Sequence, residues 1–281
     1  MVGAMDRLRV GTAGIPHAAG KRSTLEGVRV VAELGLDAME IEFVRGVRMR
    51  PEVADQVREL AREVDVVLTV HAPYYVNLFS RDEAKVEASV KRILDAARVG
   101  YRAGAWSVVF HPGYYGKLSP EEAVEGLRGW LKKIVATLID EGVDIWIRPE
   151  VMGGLAEVGA LEEVLEAVAG IENAAPCVDF AHLYARSLGK INGYSEFRTV
   201  LAMVEERLGS DYLRAMHIHV SGMEYGPRGE RRHLNFDESE FAWQDLVKVL
   251  KEFNVKGVII CESPNLEGDA LKIKRALEQD P

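Results

Sequence analysis

Six side chains of the kind that bind divalent metals lie at the ends of successive predicted β-strands. They are His71, His111, Glu150, Asp179, His217 and Glu262. Each follows a short run rich in apolar or β-branched residues, which is typical of a parallel strand covered on both faces. Imidazole nitrogen and carboxylate oxygen both suit an ion such as zinc. The repetition over strands three to eight therefore favours a metal centre.

The segment Cys177–His182 shows this pattern most clearly. A buried strand ends at Asp179, and His182 follows three residues later. Taken alone, the pair is better explained by a capping carboxylate and a hydrogen-bonded histidine than by a metal site. Many buried carboxylates and histidines at one edge would be costly without cations, however. The donors also exceed the needs of one tetrahedral zinc, so we expect two or three ions with a bridging carboxylate. Zinc is the expected metal, with manganese as the alternative.

The predicted elements bring these residues to one place. Strands are expected at 8–12, 38–43, 66–71, 106–111, 143–150, 177–179, 214–220 and 257–262, with helices between them. This alternation predicts a single-domain α/β fold, a (β/α)8 TIM barrel spanning residues 1–281. The carboxyl ends of barrel strands converge on one side, where active sites lie. A doubly wound open sheet is the alternative, but the uninterrupted series of ligand-type strand ends leaves no gap for a switch point.

Composition narrows the class of protein. The chain has 281 residues and a formal net charge of −9, which argues against a protein that coats nucleic acid through a basic surface. Bound cations would reverse that sign locally. The first residues carry charges, and apolar runs are too short to span a bilayer, so we expect a cytoplasmic protein without membrane partners. Cys177 and Cys261 lie in apolar strands and are expected to be buried thiols. We expect a monomer.

Four segments resemble the endonuclease IV family of apurinic/apyrimidinic endonucleases, within the wider xylose isomerase-like superfamily. They are His-Ala-Pro-Tyr at 71–74, Phe-His-Pro-Gly at 110–113, Cys-Val-Asp at 177–179 with His182, and Cys-Glu-Ser-Pro at 261–264. The resemblance implies a trinuclear zinc site that hydrolyses DNA on the 5′ side of an abasic nucleotide. It assigns His71 and His111 to one zinc. Glu150 would bridge to a second zinc, held also by Asp179, His217 and Glu262, and His182 would bind the third.

Two segments depart from the family pattern. The family completes its third zinc with Asp-x-His after strand seven, where this chain offers Glu230 and His233 in a loop predicted to be irregular from 221 to 239. Strand seven also carries a second histidine, His219, on the same face as His217, because side chains alternate with period two. His219 is expected to be a ligand, a hydrogen-bond donor that supports a ligand, or a packed barrel histidine.

The predicted substrate is damaged duplex DNA. The resemblance places Tyr74 against the abasic sugar, and basic loop residues would contact phosphates: Arg45, Arg48, Arg50, Arg231 and Arg232. The catalytic residues are expected to be Glu150, Glu262 and Tyr74. The alternative is a metal-dependent sugar isomerase or epimerase, in which Glu150 and Glu262 would transfer a proton between carbons. A barrel that binds metal only for stability is a third possibility.

Overall fold

The computed structural model describes residues 5–279. Its strands are β1 Leu8–Ala13, β2 Ala38–Glu42, β3 Val67–His71, β4 Ser107–Phe110, β5 Trp146–Pro149, β6 Cys177–Asp179, β7 Met216–Val220, β8 Gly222–Gly226, β9 Gly229–Leu234 and β10 Gly257–Cys261. Its helices are α1 Thr24–Glu33, α2 Pro51–Glu63, α3 Glu83–Arg102, α4 Pro120–Asp140, α5 Leu161–Val168, α6 Phe180–Arg186, α7 Tyr194–Leu208, α8 Ser210–Leu213, α9 Trp243–Glu252 and α10 Glu267–Glu278.

Eight parallel strands form one nearly closed barrel. Their order is β5-β4-β3-β2-β1-β10-β7-β6, and the two end strands approach through parallel bridges from Ile147 to Ala174 and from Glu150 to Cys177. Helices connect the strands on the outside, so the predicted (β/α)8 TIM barrel is confirmed and the open-sheet alternative is wrong. The carboxyl ends of the strands consequently face one side of the molecule.

Local sequence signals set several of the helix boundaries. Ser119 accepts a hydrogen bond from the Glu122 amide at 3.2 Å, and Glu122 accepts one from the Ser119 amide at 2.7 Å. This reciprocal capping box starts α4, with Pro120 at its first position. Gly35, at φ +74°, follows the end of α1 and adopts the left-handed conformation that glycine tolerates best.

Polar and apolar residues occupy different parts of the barrel. The large apolar core lies between the outer strand faces and the helices, whereas a small apolar cluster of Ala38, Val258 and Ile260 is separate from it. Arg148 is buried, donates hydrogen bonds to the carbonyls of Pro176 and Ala215 and lies over two tryptophan rings. The carboxyl-side end of the interior carries the acids and histidines described below. A barrel core made of charged residues needs compensating partners or ions.

The segment after β7 is ordered, contrary to the prediction of an irregular loop. β8 and β9 pair as an antiparallel hairpin with Met223 opposite His233. The hairpin is tied to the loop after β5, because the Glu230 amide donates to the Gly153 carbonyl at 3.1 Å and the Leu155 amide donates to the Arg228 carbonyl at 3.0 Å. A short 3-10 turn, Phe236–Glu238, follows. The hairpin thereby holds Glu230 and His233 above the end of the barrel.

Candidate metal centre

The first cluster consists of His71, His111 and Glu150, which come from the ends of β3, β4 and β5. The Nε2 atoms of His71 and His111 lie 3.3 Å and 3.1 Å from Oε2 of Glu150. Nδ1 of His71 lies 2.7 Å from the Ala72 carbonyl, an oxygen that only accepts hydrogen bonds. Nδ1 of His71 therefore carries a proton, and Nε2 is the nitrogen that would bind an ion beside Glu150.

The second cluster consists of Glu150, Asp179, His219 and Glu262, whose ligand atoms lie within 4.8 Å of one another. Nδ1 of His219 is 3.4 Å from Oε1 of Glu150 and 3.5 Å from Oε1 of Glu262. Asp179 caps α6 with Oδ1, which accepts from the His182 amide at 2.8 Å. The capping carboxylate is therefore confirmed, and Asp179 also lies among the possible ligands of the second cluster.

The third cluster consists of His182, Glu230 and His233. Nε2 of His182 lies 3.1 Å from Glu230 Oε2, and Nε2 of His233 lies 3.5 Å from Glu230 Oε1. Nδ1 of each histidine faces a backbone carbonyl, that of Val151 at 2.9 Å and that of Glu262 at 3.2 Å. Both rings therefore point Nε2 toward the same carboxylate. Glu230 and His233 are one residue further apart than the acid and the histidine of Asp-x-His. The hairpin still brings both side chains into the same cluster.

Glu150 belongs to the first two clusters and also contacts a histidine of the third. One carboxylate oxygen faces the two histidines of the first cluster, and Oε1 lies 3.1 Å from Nδ1 of His182 and 3.4 Å from Nδ1 of His219. The side chain is almost fully buried. This placement is the one expected of a bridging carboxylate, because each oxygen reaches a different group of nitrogen donors.

His217 lies deeper in the barrel than sequence analysis predicts. Its Nδ1 is 2.7 Å from the Ser107 hydroxyl, and its Nε2 is 3.2 Å from Glu40. The strand continues beyond His217, and the register pairs His219 with Asp179 but His217 with Cys177. His219 consequently occupies the strand-end position predicted for His217. The difference follows from strand length, because both histidines face the barrel interior.

Burial and mutual attraction shift the pKa values in this centre. Burial lowers the pKa of His71, but its hydrogen bond to Glu150 and the nearby charge of Glu42 more than reverse this and raise the pKa to about 10. Burial raises the pKa of Asp179 to about 6 and that of Glu42 to about 8. The raised pKa values of these carboxyl groups mean that burial disfavours their ionised forms. The ionised carboxylates therefore need nearby positive charge, which protonated histidines or bound cations can supply.

The donor set fits divalent metal ions. Oδ2 of Asp179 and Nδ1 of His219 are buried and form no aligned hydrogen bond with any residue between 5 and 279. Unsatisfied buried donors and acceptors of this kind are costly unless another partner is bound. Imidazole and carboxylate are the ligands that zinc prefers, and each cluster supplies three or four of them.

The remaining predicted site residues lie around this centre. Tyr74 is 48% exposed, donates a hydrogen bond to Glu42 at 3.2 Å, and has its ring centroid 5.3 Å from that of His71. Arg231 and Arg232 are exposed on the hairpin and both pair with Glu224. Arg45, Arg48 and Arg50 follow β2 on the same side of the barrel as the clusters.

Sequence analysis did not identify Glu40 and Glu42 as members of the site. Both point into the barrel from β2, and Glu42, Glu40 and Glu262 lie close enough to share a cation. The signal was present: two glutamates alternate in a strand whose other residues are apolar. With period two they share one face, and a buried face with two acids is unusual for a purely structural strand.

The fold and the three clusters define a TIM barrel with a candidate metal centre at the carboxyl ends of its strands. The chain belongs to the xylose isomerase-like TIM barrel family, whose family model matches residues 28–279. It is 41% identical to the uncharacterized protein MJ0133 of Methanocaldococcus jannaschii, over 96% of each chain. It is 25% identical to a probable endonuclease 4 of Mycoplasma genitalium, over 70% of this chain and 67% of that one.

Two solved structures share this fold. A D-tagatose 3-epimerase-like protein has a TM-score of 0.70 and 25% identity, covering 95% of this chain and 96% of its own. The endonuclease IV of Thermus thermophilus has a TM-score of 0.68 and 22% identity, covering 95% of this chain and 97% of its own. The same fold therefore occurs in proteins named for two different enzyme classes. Among the helices that the structure describes, none is long and apolar enough to cross a membrane.

Proposed function

We propose that this protein is a metal-dependent phosphodiesterase that cleaves DNA on the 5′ side of abasic sites. The observation that carries the proposal is the presence of three neighbouring donor clusters, of which the first two share Glu150 and the third contacts it through His182. Phosphoryl transfer uses cations on both the attacking and the leaving oxygen, which a multi-ion site supplies and a single ion does not. The similarity to relatives named probable endonuclease 4 supports the same choice.

Each side chain of the centre has its own role in the proposed reaction. Bound divalent ions would polarise the phosphate, supply a nucleophilic oxygen from water at neutral pH and stabilise the departing oxygen. Glu150 holds the clusters at a fixed separation, and Glu262 orients groups at the second cluster. Tyr74, exposed beside the first cluster, packs on the deoxyribose. An abasic nucleotide has lost the stacking that resists extrusion, so it enters the centre at low cost.

Binding to DNA would depend on a few loop arginines. The net charge of −9 gives the molecule no general attraction for phosphate, so contacts must be local. Arg45, Arg48 and Arg50 after β2, with Arg231 and Arg232 on the hairpin, supply them. Replacing the first three together by alanine should weaken binding to abasic duplex, measured by fluorescence anisotropy, while the zinc content stays unchanged.

A sugar epimerase or isomerase is the second candidate function. The second cluster alone provides four donors for a single ion, and the D-tagatose 3-epimerase-like structure has the same fold. In that reaction Glu150 and Glu262 would exchange a proton with a carbon next to a carbonyl. The first and third clusters argue for the nuclease, because a one-ion site at the second cluster would not use the histidines of the other two, which are His71, His111, His182 and His233.

A substrate comparison tests the proposal. Zinc-loaded protein is incubated with a duplex carrying one abasic analogue and, separately, with a panel of ketoses and aldoses. We expect a single nick that leaves a 3′-hydroxyl extendable by a DNA polymerase, with every sugar unchanged. Tyr74→Ala should slow the nick without altering the circular dichroism spectrum. Sugar interconversion by protein that leaves the abasic duplex intact would replace the nuclease by the epimerase.

A further inference from the structure

Glu40 is a buried carboxylate that the proposed reaction does not use. It projects from the centre of β2 into the barrel, directly beneath the second cluster, and is 0% exposed. Oε1 lies 2.9 Å from Nε2 of His219, and Oε2 lies 3.2 Å from Nε2 of His217. The Thr69 hydroxyl donates a hydrogen bond to Oε2 at 2.7 Å. A buried carboxylate without access to water is costly unless hydrogen bonds or nearby positive charge stabilise it.

The neighbours of Glu40 fix where the protons lie on His219. An ionised carboxylate only accepts hydrogen bonds, so the ring nitrogen that faces it carries the proton. The neighbours of this carboxylate, the Thr69 hydroxyl and the Nε2 atoms of His217 and His219, are groups that can donate hydrogen bonds to an ionised acid. With Nε2 of His219 protonated toward Glu40, Nδ1 is the nitrogen that would bind an ion placed between Glu150 and Glu262.

We propose that Glu40 is a positioning residue, which orients His219 and holds it in the tautomer whose Nδ1 binds the ion of the second cluster. The inference rests on the metal-binding part of the proposed function and not on the choice of substrate. A carboxylate behind a metal-binding histidine fixes the ring and strengthens the nitrogen as a ligand. Glu40 differs from a simple buried acid because its two oxygens face different donors.

The layer below Glu40 supports the same role. The Ser107 hydroxyl lies 2.7 Å from Nδ1 of His217, whose opposite nitrogen faces Oε2 of Glu40. His217 and Thr69 thus occupy Oε2 and leave Oε1 for His219. A glutamine at position 40 would present an amide N–H₂ group to one of these donors. The amide would either lose the contacts below it or turn His219 to the wrong tautomer, in which Nδ1–H faces the carboxylates.

Zinc affinity tests the role through Glu40→Gln. The variant is dialysed against chelators of graded strength, and bound zinc is counted by elemental analysis. We expect the affinity of one ion per chain to fall by roughly 10–100-fold, as for other residues that support a metal ligand. Asp37→Asn is the matched control: it removes a buried carboxylate at the opposite end of β2, where Asp37 contacts Arg7 and Lys274 and no member of the clusters. We expect the zinc affinity to change by less than about threefold there.

A measurement on the unaltered protein covers the case in which Glu40→Gln does not fold. Long-range ¹H–¹⁵N spectra of zinc-loaded wild type report which nitrogen of each histidine carries the proton. We expect the wild-type spectrum to show His219 protonated at Nε2. We expect the spectrum of Glu40→Gln to lack this uniform Nε2-protonated signal. His219 protonated at Nδ1 in zinc-loaded wild type, equal zinc affinities for Glu40→Gln and Asp37→Asn, or a wild type that binds no zinc would each overturn the proposal. Failure to nick abasic DNA, with these results obtained, would reject only the proposed substrate.

Discussion

Glu150 is the residue on which the candidate centre depends most. Its two oxygens lie within 3.1–3.4 Å of histidines from all three clusters. Glu150→Gln replaces one of those oxygens by an amide that cannot bind an ion. We expect a loss of zinc and of nicking rate larger than the roughly 10–100-fold typical of residues that only support a ligand. Elemental analysis and a single-turnover nicking assay measure both quantities; full zinc content at full rate would refute the bridge.

The two histidines of β7 give the sharpest contrast between neighbouring residues. His219→Ala removes a donor of the second cluster, so we expect one zinc per chain to be lost. His217→Ala leaves that cluster complete but removes a partner of buried Glu40, so we expect retained zinc and a loss of stability of about 1–3 kcal/mol. Zinc counts and urea unfolding of both variants check this. Zinc loss in His217→Ala but not in His219→Ala would restore His217 as the ligand.

Most of the candidate metal ligands can be identified from the sequence, whereas their depth in the barrel cannot. His71, His111, Glu150, Asp179 and Glu262 can be found because a buried strand that ends in a polar residue is a local pattern. Choosing between His217 and His219 requires the stagger between neighbouring strands, which is set by pairing across the barrel. The alternation of side chains along a strand tells on which face a residue lies, but not at which depth in the barrel.

At the scale of elements, the barrel followed from the sequence and the hairpin did not. Alternating apolar strands and capped helices are local signals, so the order of the eight units was predictable. The pairing of β8 with β9 has polar, solvent-facing residues, and its anchor is a contact with the distant loop after β5. That loop approaches so closely that a Cβ atom at Gly229 would overlap the Gly153 carbonyl. Local sequence does not reveal such long-range contacts.

Gly229→Ala tests whether the hairpin must stay on that loop. Gly229 has φ +89° and touches Gly153, so alanine adds both backbone strain and a collision. We expect the hairpin to lift, the third cluster to lose its ion, and the barrel to lose about 1–3 kcal/mol. Gly170→Ala is the control, since Gly170 has φ +71° with open space around its missing Cβ. Gly170→Ala should lose stability through backbone strain alone and keep its full zinc content. Equal zinc loss in both variants would contradict the idea that the third cluster needs the hairpin to stay on the loop after β5.

At the scale of the whole molecule, charge decides how DNA is bound. A protein with a net charge of −9 that uses a few arginines should neutralise about three or four phosphates. The logarithm of the binding constant should then fall with the logarithm of salt concentration with a slope of about −3. Anisotropy titrations of an abasic duplex between low and physiological salt measure it. A slope of about −8 would show a broad basic surface, which the charge distribution does not provide.

The central claim is that the three clusters together make a metal-dependent phosphodiesterase. Its most direct test is a zinc titration of chelator-treated protein, with nicking of a duplex that carries one abasic site measured at each step. We predict little cleavage with the first equivalent and a steep rise as the remaining clusters fill, giving one nick 5′ to the abasic site with a 3′-hydroxyl end. Zinc binding that reaches saturation while the duplex stays intact, with manganese giving the same result, would contradict the claim.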